Sequence, residues 1–157
     1  MIEITLPDGS SRSVAKGTTA MDIARDISEG LARNVLACQI DEDVWDANRP
    51  LEKDCSLKLL TWNDDLGKQT MWHSSAHLMA QAVQELYPGT LVTIGPAIES
   101  GFYYDFGTET PFTPEDLTKI EKKMSELASQ KLVYERSVMT KDEAIAFFTE
   151  QGETYKV

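Results

Sequence analysis

From Thr70 to Tyr87 the chain contains neither proline nor glycine, and Pro88-Gly89 closes the run. A stretch of that length without a breaker, ended by two residues that stop helices, predicts one long α-helix. Ala76, Ala80, Val83 and Tyr87 recur at helical spacing and mark its apolar face. His73 and His77, the two histidines of the chain, lie on or beside that face. Four residues apart, they share one side of the helix, at roughly 6 Å between Cβ atoms. Imidazole titrates near neutrality, so the pair is a candidate acid–base or ligand site. The other reading is two satisfied rings at the edge of a helix–sheet interface, and spacing does not choose between them.

A metal site is not expected. Two nitrogens leave a tetrahedral zinc site two ligands short. Cys38 and Cys55 lie in an earlier module, and no glutamate follows His73, which excludes the HExxH pattern.

The first sixty residues have a different rhythm. Ile2 to Leu6 alternates apolar and polar residues as a half-buried strand does, Pro7-Asp8-Gly9-Ser10 is a turn, and Arg12 to Val14 returns as a hairpin partner. Thr19 fits an N-cap with Asp22 in the first turn, and Ala20, Ile23, Ala24 and Ile27 form a short amphipathic helix stopped at Gly30. Val35–Ile40, Val44-Trp45 and Ser56–Leu60 read as further strands. A hairpin, a helix and more strands in so short a span predict an α+β roll, one helix across a mixed sheet, over residues 1–62. The polar, turn-rich stretch 63–69 reads as a linker, and 70–157 as a second α+β domain with the long helix packed on a sheet. In that domain Thr90–Ile94, Gly101–Phe106 and Leu132–Met139 read as strands. Thr113-Pro114 and Thr140–Glu143 open two further helices, the last ended by Gly152.

Composition removes several function classes. A hydrophobic content of 41% over 157 residues suits a globular protein of one domain or two small ones, and no apolar run approaches the ~20 residues of a membrane span. The start, Met1-Ile2-Glu3-Ile4, has no basic or apolar leader, and the cysteines form no CxxC, so reduced thiols and a cytoplasmic location are expected. A net charge of −11 argues against a protein that coats nucleic acid, while leaving a local RNA contact open. Lys119, Lys122 and Lys123, with Glu121 and Glu126 among them, read as a solvated helix face.

Two further groups draw attention. Gly95-Pro96 permits close backbone approach, and the aromatic run Phe102-Tyr103-Tyr104-Asp105-Phe106 offers rings on which a base can stack. An aromatic strand is ordinarily core, the reading taken for Phe102 and Phe106; Tyr104 stays open between the two. Lys156, just after the Gly152 stop, reads by itself as solvated surface.

Taken together, Ile4–Ser10, Ala20–Ala24, His73–Leu78, Ile94-Gly95-Pro96, Gly101–Asp105 and Gly152–Val157 resemble the N-terminal region of bacterial threonyl-tRNA synthetases, in that family's order. The resemblance implies a TGS domain, a ubiquitin-like β-grasp fold, followed by the first part of the domain that hydrolyses serine mischarged onto tRNA(Thr). It implies that His73, His77 and Lys156 belong to the hydrolytic site and that Tyr104 and the Gly95 backbone line the pocket for the terminal adenosine. The family's editing site also uses a downstream cysteine and histidine. The chain therefore reads as an N-terminal fragment with a truncated editing domain, some unpaired sheet edges and little deacylase activity alone. ATP, magnesium and zinc belong to the family's catalytic domain, outside this fragment, for which no cofactor is expected. The implied partners are tRNA(Thr) and Ser-tRNA(Thr), with no membrane, and homodimerisation runs through domains outside the fragment. A TGS-type regulatory or RNA-binding module without chemistry is the alternative. A zinc-dependent editing enzyme with the same HxxxH helix is the third reading.

Overall fold

The computed structural model describes residues 1–157. The chain divides into two compact units, Met1–Met71 and Trp72–Val157.

In the first unit, β1 (Ile2–Thr5) and β2 (Ser11–Val14) form the expected hairpin. Helices α1 (Ala20–Ile27) and α2 (Glu29–Ala32) follow, then β3 (Ala37–Ile40), β4 (Asp43–Trp45) and β5 (Cys55–Leu60). The sheet order is β2-β1-β5-β3-β4, with β1 and β5 parallel and the other neighbours antiparallel. This is the expected β-grasp, a helix laid across a mixed sheet. Thr19 and Asp22 close a capping box at the start of α1, satisfying two N–H groups that the helix leaves unpaired. Ala20, Ile23 and Ala24 of α1 then pack on Ile4, Cys38, Ile40 and Leu57 of the strands, with Leu51 sealing the layer. Gly30 does not stop the helix. Ser28 does, in extended conformation, and its hydroxyl accepts the Leu31 N–H to start α2, inside which Gly30 lies.

The stretch read as a linker is ordered into a turn and a helix start. The Asp64 carboxylate accepts from the Thr61 N–H and hydroxyl and pairs with Lys58 at 2.7 Å, and α3 (Asp65–Leu86) begins at the next residue. Gly67, taken from sequence as a turn residue, is helical. A Cβ there would strike the Thr61 backbone, so glycine serves close approach rather than turning.

The second unit begins within α3, at Trp72. Its strands are short: β6 (Leu91–Val92), β7 (Ala97–Ile98), β8 (Gly101–Phe102) and β9 (Phe106–Gly107), paired antiparallel as β6–β9 and β7–β8. Helices α4 (Pro114–Ser129) and α5 (Lys141–Glu150) follow, each opened by a capping box, Thr113 with Asp116 and Thr140 with Glu143. The core joins Ala82 and Val83 of α3 to Ile120 and Leu127 of α4, with Leu78, Met79, Phe106, Phe112 and Met124 around them. The helix expected to lie on a sheet thus packs largely against another helix. Two expected strands are interrupted. Only Leu91-Val92 of the first pairs, and the aromatic run breaks at Tyr103–Asp105 between β8 and β9. Leu132–Met139 forms no strand: the segment pairs with nothing in a sheet and every residue in it is exposed. Residues of strand-forming type make a strand only where a neighbouring edge accepts the backbone hydrogen bonds.

Candidate active site

Helix α3 places His73 and His77 one turn apart, with their Nε2 atoms 3.1 Å from each other. The ring centroids lie 4.6 Å apart and the planes meet edge-on at 89°. Both residues reach solvent. A contact between two Nε2 atoms requires one to donate and the other to accept, so at least one ring is neutral. Burial pushes the His77 pKa below its ordinary 6.5, helped by the neighbouring His73 and by the Lys156 charge. Desolvation first, and then the two neighbouring charges, favour the neutral form of His77 at neutral pH. No three His, Cys, Asp or Glu side chains converge in metal-binding geometry.

Lys156 arrives through the end of α5. Gly152 adopts φ +72°, its N–H donates to the Thr149 carbonyl, and the next N–H, from Glu153, donates to the Phe148 carbonyl at 2.9 Å. This double bond pattern caps the helix and turns the chain back. The Lys156 ammonium then sits 3.5 Å from Glu153 Oε2 and 5.3 Å above the centre of the Phe148 ring.

Tyr104 and Gly95 also meet. Gly95 is buried, and a Cβ on it would collide with the Tyr104 ring. The close approach anticipated at Gly95 is that of a ligand; in the structure it is the Tyr104 ring that lies against this backbone. Tyr104 stacks on Phe106 at 4.7 Å between centroids. Thr93 Oγ1 donates to the Asp105 carbonyl at 2.6 Å, tying the two backbone segments together. The Tyr104 phenol is shifted upward, first by burial and then by the Glu153 carboxylate. Phe106 joins the core as anticipated, while Phe102 is half-buried against Trp72 at 6.4 Å.

Two residues that sequence reasoning passed over connect these parts. Glu153 Oε1 accepts from Gln84 Nε2 on α3 at 2.9 Å. A signal for Gln84 was present: His73, His77, Ala80 and Gln84 advance by four, three and four residues, one stripe of a helix. One partner of Glu153, Lys156, lies three residues on, but the other, Gln84, is 69 residues away, so no local pattern marks its docking. The structure thus brings His73 and His77 into contact, and ties Lys156 to Glu153, itself bonded to Gln84 of α3. The Lys156 charge is felt at His77 and the Glu153 charge at Tyr104. Chemically the group combines a neutral imidazole able to accept a proton, a second imidazole bonded to it, and an ammonium whose charge reaches the first.

Comparison with known proteins adds relatives. Residues 2–61 match the TGS domain. The whole chain is 55% identical over 159 residues to a threonine–tRNA ligase of Cytophaga hutchinsonii. It is 54% identical over 154 residues to that of Marinobacter nauticus, and 49% over 156 residues to that of Maricaulis maris. These alignments cover 98–100% of the chain and 24% of each relative. The chain spans about a quarter of the length of the curated relatives it matches. The chain thus carries a TGS domain with a β-grasp fold, and along its whole length it is similar to about a quarter of the length of threonine–tRNA ligases, at 49–55% identity.

Proposed function

We propose that this region serves threonyl-tRNA synthesis by hydrolysing serine wrongly esterified to tRNA(Thr). One methyl separates threonine from serine, and its loss from a pocket is worth only about 1–3 kcal/mol, too little for faithful selection. A separate hydrolytic site supplies the remaining discrimination. The observation that carries the reading is the His73–His77 pair, bonded Nε2 to Nε2 on one face of α3.

In this reading neutral His77 accepts a proton from water as the water attacks the seryl ester carbon. The Lys156 ammonium faces the oxygen that gains negative charge, and the ribose hydroxyl leaves with a proton returned from the imidazole pair. Tyr104, stacked on Phe106 and covering Gly95, offers an aromatic face beside the terminal adenosine. The partners are then tRNA(Thr) and its seryl ester. The ATP, magnesium and zinc sites and the dimer contacts that the family resemblance implies belong, in this reading, to domains outside this region.

The test is deacylation of Ser-tRNA(Thr) by a full-length threonine–tRNA ligase carrying this region. His73→Ala and His77→Ala are each expected to lower the rate by at least ~100-fold, the scale of a lost general base, with threonylation unchanged. Unaltered deacylation in both variants would leave a TGS-type binding module as the better reading.

A further inference from the structure

We infer that Glu153 is the positioning residue of this site: docked on α3 through Gln84, it tethers the Lys156 ammonium to the helix that carries the two imidazoles. The inference builds on the reading of the pair as hydrolytic and adds to it the element that keeps the cation in place.

The geometry begins at the end of α5. The left-handed Gly152 and the bond from the Glu153 N–H to the Phe148 carbonyl fix where Glu153 leaves the helix. Its side chain is then 13% exposed, against 37% for Lys156. A carboxylate held that far from water needs partners. It has two: the Gln84 amide at 2.9 Å and the Lys156 ammonium at 3.5 Å. The first reaches 69 residues back along the chain, to the stripe of α3 that carries the histidines. The second lies within the same turn. Lysine ends in a compact charge on a flexible four-carbon stem, so it does not hold one place unaided. Here the carboxylate restrains it on one side and the Phe148 ring on the other. One turn thus brings together the anchor, the tether and the cation.

A purely structural Glu153 would tie the turn to α3 and do nothing more. The two roles separate by titration. The chain has only two histidines, so the imidazole C–H signals of residues 1–157 are followed by NMR without crowding. The groups that face His77 electrostatically are His73 and Lys156; Glu153 bears instead on Tyr104. Lys156→Met removes the cation and is expected to move the His77 midpoint upward. Glu153→Gln keeps an acceptor for Gln84 but loses the charge that restrains Lys156. It is expected to move the same midpoint in the same direction, and to add nothing when combined with Lys156→Met. Gln84→Leu, which removes the dock from the other side, gives the same upward shift and serves if Glu153→Gln fails to fold. An unchanged His77 midpoint in Glu153→Gln overturns the inference, as does a shift that persists in full in the Lys156→Met background. The titrations need no tRNA. An additive cycle would remove the role of Glu153 while leaving the hydrolytic reading intact, and intact deacylation in the histidine variants would do the reverse.

Discussion

A single imidazole shows how environment overrides composition. His77 reaches solvent, yet nearby protein, a second imidazole and a cation all disfavour its charged form. Because its pKa is lower folded than unfolded, the unfolded chain binds the proton more readily. The associated stability is fully present above about pH 6.5 and is lost as pH falls through the depressed folded value. NMR titration should find the His77 midpoint below 6.5, and deacylation by the full-length enzyme should fall away on the acid side of that midpoint. Cys38 is perturbed the other way. Burial first, then the Asp46 charge, pushes its thiol up to about 12. Thiolate is the reactive form, so iodoacetamide at neutral pH should label Cys38 only when the protein unfolds. Gly95 is set by contact alone. Gly95→Ala should drive the Tyr104 ring off Phe106, read as loss of the mutual ring-current shifts of those two side chains.

Helices announce themselves locally, and short strands do not. Three threonine capping boxes, at Thr19, Thr113 and Thr140, were readable because side chain and helix N-terminus lie within four residues of each other. Helix α5 has no fully buried residue, so its cap carries a large share of its order. Thr140→Ala should reduce amide protection in α5 by about 1 kcal/mol, measured by hydrogen exchange. At the other end, Gly152→Ala places a side chain in a left-handed conformation at a cost of about 1–2 kcal/mol, and should loosen Lys156 with the turn. The strands failed where pairing is non-local. Leu132–Met139 has a strand's composition and no partner edge, while β6 through β9 are each cut to two residues by the turns between them.

At the scale of the molecule, two cores form separately. One is closed by Ile4, Ile23 and Leu57, the other by Val83, Ile120 and Leu127. Leu57→Ala should destabilise the first unit by about 2–5 kcal/mol, in the range of buried leucine truncations. The His73 and His77 signals should keep their shifts under native conditions. The α+β roll of the first unit was legible from the chain because its hairpin, capped helix and buried strands each carry a local periodicity that agrees with the final packing, while the β-grasp itself was implied by the family resemblance. The register of the two histidines was legible too, since the helical repeat alone places them one above the other. Only the tertiary structure decided that Gly67 and Gly95 serve close packing, that Leu132–Met139 stays out of any sheet, and that Gln84 of the histidine-bearing helix meets Glu153, which in turn pairs with Lys156. The division follows from range: turns, caps and helical faces depend on residues a few positions apart, whereas a carboxylate's partner 69 residues away is fixed only when the whole chain folds.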